Sequence, residues 1–433
     1  MKNINEYFQY LYSLERAGMK YDLSNITTLC KALGNPQDKF RSIHIAGTNG
    51  KGATASFTAS VLMEHGLKTG LFTSPHILKF NERIRLNGKC ISNTYIKKFL
   101  EENIKLIKRI KPSFFEVNTA MAFKYFADKK VDTAVIECGL GGRLDSTNIL
   151  NPVVSAITQI DMDHMQFLGN TLREIALEKL GIVKKGGKVI VSDNNRKLVS
   201  LFHKSITENE LLYLDDIARI KVLSNSNGKL KFTVTPKGEK NIVLTTPLPG
   251  KYQVRNAAAG YFIVKQFLFE TGNKFQPGKF KKGISNVKKN TGYFGRLELF
   301  NKNGKQYLLD VSHNPDGIKN SITSVKNIGF KPDVVIFGIM SDKDHKSALK
   351  EILQIKKNII LTKPDYERAQ EPGILYSDSL KMKSTNNLML DNSVKGALEI
   401  ADKMNYKRIM IIGSFFMVSD ALKALGMHGI PVK

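Results

Sequence analysis

The stretch Arg41-Ser42-Ile43-His44-Ile45-Ala46-Gly47-Thr48-Asn49-Gly50-Lys51-Gly52 decides how this chain folds. Its first half is a short, mostly apolar run, the pattern of a buried strand. Its second half holds three glycines and a lysine. Glycine lets the backbone bend tightly enough for successive N–H groups to converge. A helix beginning there adds partial positive charge and Lys51 adds a full one, so the turn is suited to cradling a triphosphate. The spacing departs from the standard phosphate-loop pattern: Ile45 stands where the first glycine falls, and Gly52 follows the lysine. An amphipathic helix is expected over residues 53–65 and a second strand from Lys68 to Thr73, completing a strand–loop–helix–strand unit.

The alternation extends in both directions. Toward the N-terminus, residues 2–33 read as helical and break at Leu33-Gly34-Asn35-Pro36. Downstream, strands are expected at Val131–Glu137, Val153–Thr158 and Lys188–Ser192, separated by helices over 94–110, 117–128 and 171–180. Strands that alternate with helices argue for a mostly parallel sheet covered on both faces. Residues 211–247 carry short β-rich runs and read as a small antiparallel patch that closes the first domain. A second α/β series follows, with strands at Gln306–Val311, Asp333–Phe337, Asn358–Leu361 and Arg408–Ile412. The polar, glycine-bearing segment Val287–Gly295 is the expected hinge. The fold class is α/β, with domains over 1–289 and 290–433.

Composition narrows the function. The chain has 433 residues, 42% of them hydrophobic and 24% charged, as in an ordinary globular protein. Cys30, Cys90 and Cys138 are too few and too scattered for a disulfide framework or a zinc cluster. They fit a reducing compartment. No secretory leader is evident at the N-terminus and no window of about 20 apolar residues occurs, so a cytoplasmic address without membrane contact is expected. Lys and Arg number 66 against 39 Asp and Glu, a net charge of +27. The lysines are scattered along the whole chain, and no basic block or nucleic-acid signature accompanies them. A compositional origin, or attraction of small polyanions, therefore explains the charge better than nucleic-acid binding.

Further motifs carry a resemblance. His44–Gly52, Thr73-Ser-Pro-His76 and Phe80-Asn-Glu-Arg-Ile84 are followed by Glu137-Cys-Gly-Leu-Gly-Gly-Arg-Leu-Asp-Ser-Thr-Asn148, Asp163-His164 and Glu178-Lys-Leu-Gly-Ile182. Tyr252-Gln-Val-Arg-Asn-Ala257 and Asp310-Val-Ser-His-Asn-Pro315 complete the series. Together they resemble the folylpolyglutamate synthase/dihydrofolate synthase family of the Mur ligase superfamily, and they span most of the chain in order. The resemblance implies a P-loop Mur-ligase-type central domain and a Rossmann-like C-terminal glutamate-ligase domain. It implies an ATP-dependent ligase, expected to be monomeric, that adds L-glutamate to a folate, or to dihydropteroate, through an acyl phosphate. A Mur-type ligase for another carboxylate and a nucleic-acid-binding ATPase are the rival readings.

The same resemblance assigns residues. Thr48, Asn49, Gly50, Lys51, Gly52, Asn256, Arg296, Asp310 and His313 match the ATP contacts. Lys51, His164 and Lys179 are the candidate catalytic groups. Ser74, Glu137 and His164 match ligands for magnesium, of which two ions are expected. Hydroxyl and carboxylate oxygens suit that ion, whereas imidazole is a softer donor. Lys179 matches the family's carbamylated lysine, an N6-carboxylysine able to help hold the second ion. Ser113, Phe114, Phe115, Glu116, Leu144, Asp145 and Ser146 match the pterin-binding stretches. Two departures stand out: Ala53 replaces a serine after the phosphate loop, and Leu180 replaces an alanine beside Lys179. Thr54 or Ser74 is the expected source of the missing hydroxyl.

Overall fold

The computed structural model describes residues 3–14, 22–226, 228–355, 357–382, 385–427 and 429. Seventeen strands form three sheets among these residues. The first sheet uses β1 (Arg41–Ala46), β2 (Thr69–Phe72), β3 (Ile84–Leu86), β4 (Lys89–Cys90), β5 (Thr133–Glu137), β6 (Val154–Ile157), β7 (Lys188–Val191) and β8 (Glu210–Tyr213). Their order is β4-β3-β2-β5-β1-β6-β7-β8. Only the β2–β3–β4 edge is antiparallel. β1 lies between β5 and β6, so the phosphate loop leaves the sheet between two other strand ends. In an open α/β sheet this is where ligands gather.

The helix after the loop spans Lys51–Glu64. It is not amphipathic as expected but buried nearly all round, because the Gln253–Glu270 and Pro277–Ser285 helices cover the side away from the sheet. Its small residues fit this crowding. The Ser60 hydroxyl donates to the Gly283 carbonyl at 2.6 Å, and a Cβ on Gly283 would come within 2.6 Å of Val61 Cα. The opposite face of the sheet packs on the Asn93–Ile110 and Phe114–Asp128 helices, together with Ile4–Ser13 and Ser24–Ala32. Those last two helices fill part of the expected 2–33 span; residues 2 and 15–21 lie outside the described residues.

The antiparallel patch comprises β9 (Ala218–Ser226), β10 (Lys229–Pro236) and β11 (Ile242–Thr246). Residues 211–213, read as part of this patch, instead belong to parallel β8 of the first sheet.

The third sheet contains β12 (Glu298–Lys302), β13 (Lys305–Asp310), β14 (Val334–Phe337), β15 (Asn358–Leu361), β16 (Leu388–Leu390) and β17 (Arg408–Ile412). Its order is β12-β13-β17-β14-β15-β16, parallel apart from β12. Helices cover both faces and bury two apolar clusters. Between the large sheets, the expected hinge is part helix, Val287–Thr291, followed by Gly292 in a left-handed conformation. The tip of the β3–β4 hairpin rests on that helix, where a Cβ on Gly88 would meet the Asn290 carbonyl at 2.1 Å. Ile77, from the segment after β2, is buried with Phe294, Leu309 and Val311 of the second unit.

Candidate active site

A cavity of about 640 Å³ opens between the phosphate loop and the C-terminal sheet. Residues 47–53 form its floor, with Ser74, Glu137, Asp161, Asp163, His164, Lys179 and Asn256 around it. Arg296, Ser312, His313 and Phe415 reach it from the second unit.

The loop is shaped by two glycines. Gly47 has φ +151°, and a Cβ there would lie 1.9 Å from the Thr158 hydroxyl. Gly50 has φ +90°, and a Cβ there would lie 2.6 Å from Asn256 Oδ1. The N–H groups of Thr48 and Asn49 are spent on the Gln159 carbonyl, at 2.7 and 3.1 Å. The donors left for an anion are those of the first turn of the Lys51–Glu64 helix. Lys51 Nζ bends back to donate to the Gly47 and Thr48 carbonyls, at 3.0 and 3.1 Å.

Glu137, at the end of β5, is buried beside this loop, its carboxylate 3.4 Å from where a Cβ on Gly52 would stand. Its Oε2 accepts the Ser74 N–H at 3.0 Å. Burial raises its pKa, and Lys51 only partly opposes this. Such a carboxylate lacks a full countercharge. With Ser74 beside it, the donors fit a magnesium ion. Ala53 also lines the cavity; Thr54 does not. The Thr54 hydroxyl is buried and makes no hydrogen bond within the protein. Of the two expected substitutes, Ser74 is the one that lines the cavity.

Lys179 is buried, and its Nζ donates to the Gly47 carbonyl at 2.9 Å. Burial, reinforced by Lys51, lowers its pKa to about 7. The helix carrying it is fixed by close backbone approach: a Cβ on Gly142 would come within 2.9 Å of Lys179 Cα. His164 has a left-handed backbone, φ +50°, and its N–H donates to Asp163 Oδ1 at 2.9 Å. Its Nε2 faces not Glu137 but Lys343 Nζ, 3.0 Å away. Burial lowers the His164 pKa to about 4, with Lys343 adding to the effect. Among the described residues, no three His, Cys, Asp or Glu side chains converge into a ready metal cage.

From the second unit, the Arg296 guanidinium lies 5.2 Å from the centre of the Phe415 ring. Glu298, its possible surface partner, pairs instead with Lys288 at 2.7 Å. His313 Nδ1 bonds the Val311 carbonyl at 3.1 Å, which leaves Nε2 toward Asp163. Asp310 differs from its expected role. Its carboxylate is fully buried and accepts the Leu297 and Ser312 N–H groups, at 2.9 and 2.7 Å. It does not line the cavity; in this conformation it shapes the backbone that presents Ser312 and His313.

The expected pterin residues are likewise occupied. Ser113 and Glu116 form a reciprocal helix cap. Asp145 accepts the N–H groups of Gly139 and Leu140, at 2.9 and 2.8 Å, and the Ser146 hydroxyl meets Thr119. Phe114 packs against Tyr12 and Phe80, with the Arg83 guanidinium over its ring. Phe115 is half-buried against Phe72 and Gly139. Leu144 is half-buried. None of these seven lines the phosphate-loop cavity.

Sequence reasoning missed Asp161, Asn314, Lys343 and Phe415. Asn49 Nδ2 donates to Asp161 Oδ2 at 2.7 Å, and burial raises the Asp161 pKa to about 6. The signal for Asp161 was its place two residues before Asp163, past the end of β6. Lys343 lies in the charged run Ser341-Asp342-Lys343-Asp344-His345 past β14, at a strand end like the other site residues.

A phosphate-loop domain joined to a second α/β unit, with a cavity between them lined by both cationic and carboxylate side chains, places the chain among the Mur ligases. Residues 45–264 match the Mur ligase middle domain, and 295–415 match the Mur ligase, glutamate ligase domain. The dihydrofolate synthase/folylpolyglutamate synthase of Bacillus subtilis (strain 168) is 32% identical, over 94% of this chain and 96% of that protein. The folylpolyglutamate synthase of Lacticaseibacillus casei is 35% identical, over 79% of this chain and 81% of its own length. Among solved structures, the folylpolyglutamate synthase of Thermotoga maritima superposes with a TM-score of 0.82 at 31% identity, covering 99% of this chain and 97% of that one. The Mycobacterium tuberculosis folylpolyglutamate synthase, solved with ADP and AMPPCP, superposes with a TM-score of 0.86 at 26% identity, covering 98% and 99%. The chain belongs to the folylpolyglutamate synthase/dihydrofolate synthase family.

Proposed function

We propose that this chain is an ATP-dependent ligase that joins L-glutamate to a folate through an amide bond. The observation that carries this reading is the single cavity in which the phosphate loop, the buried Glu137 and Lys179, and Arg296 of the second unit meet. ATP bound on the first turn of the Lys51–Glu64 helix has Lys51 within reach of its terminal phosphates. Arg296 brings a further positive charge from the opposite wall. The folate carboxylate attacks the γ-phosphorus, giving an acyl phosphate and ADP. The amine of glutamate then adds to the acyl carbon, and the tetrahedral intermediate expels phosphate as the amide forms. Each stage gathers negative charge, which the loop amides, Lys51 and Arg296 are placed to stabilise.

Ser74 and Glu137 would hold a magnesium ion, which when bound supplies Lewis-acid neutralisation of the phosphates. Lys179 supports carboxylation in this reading. Its amine is largely neutral a little above pH 7, and only the neutral amine adds CO₂. Bound nucleotide would draw Lys51 away from the Gly47 and Thr48 carbonyls. We assign the pterin end of the substrate to the aromatic region around Phe114 and Phe115. Residues 1–289 serve in this scheme as the ATP-binding domain and 290–433 as its glutamate-ligase partner. The full chain should release ADP when given ATP, glutamate and either tetrahydrofolate or dihydropteroate, assayed in parallel with mass analysis of the product. No ADP release with either acceptor would overturn the reading. The acceptor that responds decides between one activity and two.

A further inference from the structure

Lys343 makes a contact that the proposed chemistry does not use. It sits in the turn after β14, held there by its own N–H to the Met340 carbonyl at 3.2 Å and by Ser341 N–H to the Arg368 carbonyl at 2.9 Å. Its Nζ crosses to the first unit and donates to Asp163 Oδ1 at 2.7 Å. The same Nζ lies 3.0 Å from His164 Nε2. The Lys343 and Asp163 side chains are only 7% and 8% exposed.

The contact belongs to a network. Asp163 Oδ2 also accepts from Asn314 Nδ2 of the second unit, at 3.3 Å. Asn314 exchanges bonds with Asn49 of the phosphate loop, at 3.2 and 3.4 Å. Every member lies at the phosphate loop or past a strand end, and Asn49, Asp163 and His164 also line the cavity. The geometry of His164 is tied in as well, because its left-handed backbone is pinned by its N–H bond to Asp163 Oδ1. An imidazole nitrogen has one lone pair. While Nε2 accepts from an ammonium it cannot also ligate a metal, and a divalent ion arriving beside Lys343 meets like charge.

We propose that Lys343 is a positioning residue for the ligation: an internal cation that clasps Asp163 and His164 from the second unit and must release His164 before a divalent cation can be ligated there. This rests on the ligase reading above and on the expectation, from the family resemblance, that His164 is a metal ligand. The clasp sets the order of events, because the cation gains its imidazole only when the Lys343 turn shifts.

The test is Mn²⁺ binding to the full chain without nucleotide, read as free Mn²⁺ by electron paramagnetic resonance. Lys343→Met and Lys343→Gln should each bind Mn²⁺ about fivefold or more tightly than the parent, within the usual span of coupling between sites. Adding His164→Ala to either should return the affinity to the parent level. Lys343→Gln retains a donor for Asp163, so it decides the matter if the methionine variant does not fold. Affinity at or below the parent in the folded variants overturns the proposal, and so does tighter binding that survives His164→Ala. The readout needs no folate and no turnover, so absent ligase activity would sink the functional reading and leave this result standing.

Discussion

Lys51 and Lys179 both donate to the Gly47 carbonyl, yet they do different work. Lys51 bonds only to two loop carbonyls, so its loss should cost little stability. Lys51→Met should lower kcat/KM by about 10²–10³-fold, the scale of one preorganised charge at a reacting phosphate. Its melting temperature should move little, and steady-state ADP release with a thermal scan checks both. Lys179 carries a pH signature. Its folded pKa is about 7 against an ordinary 10.5. Between those values the unfolded chain binds a proton that the folded chain does not, so this residue makes stability rise with pH across that window. Lys179→Met should remove that rise, seen as urea midpoints at pH 7 and 9 that no longer differ through this group. At this scale the sequence placed Ser74 and Glu137 past strand ends, and both line the cavity. It was silent on Lys343, because only folding shows which cation of a charged run reaches across to Asp163. Nor did it show that the Asp310 carboxylate, expected at ATP, accepts the N–H groups of its own backbone neighbourhood.

The phosphate turn depends on what its glycines exclude. Gly47→Ala forces a side chain into the left-handed region and onto the Thr158 hydroxyl, a destabilisation of about 1–3 kcal/mol or more. Gly142→Ala acts by close approach instead, wedging the loop after β5 away from the backbone at Glu178 and Lys179. It should cost about 1–3 kcal/mol by overpacking. If Lys179 is carboxylated as proposed, the change should also weaken activation by added bicarbonate, because Lys179 moves with its helix. Chemical denaturation and activity with and without added bicarbonate separate the two effects. The strands that were easy to read, such as Thr133–Glu137 and Arg408–Ile412, have central apolar runs buried on both faces. Among those that escaped, Lys89–Cys90, Glu298–Lys302 and Leu388–Leu390 lie at sheet edges, where short strands leave little periodic signal. The Lys51–Glu64 helix was located but its all-round burial was not, since the helices that cover it lie some 200 residues away in sequence.

Over the whole molecule, burial depresses five of the described histidines, His65 among them. His44 and His76 fall to about 3, and His164 and His313 to about 4, against an ordinary 6.5. From pH 6.5 down to about 4 the unfolded chain takes up these protons while the folded chain does not, so stability falls as pH drops. Asp161 opposes this, because its folded pKa of about 6 favours the folded form as pH falls from 6 toward 3.8. Burial also raises Glu137, Asp145, Asp193 and Glu298, which oppose the fall in the same sense, but their ordinary values lie below pH 5 whereas that of the histidines lies inside the window, so melting temperatures at pH 7, 6 and 5 should decrease in that order; a flat or rising series would contradict the balance. The hairpin tip at Gly88, pressed on the Asn290 carbonyl, carries one more consequence. It makes the Val287–Thr291 helix a rider on the first lobe, so the fulcrum for any swing of the second falls on Gly292 to Leu297. Arg296 lies inside that short span. Any rotation of the lobes therefore re-aims its guanidinium directly, as a key turns with its own lock barrel.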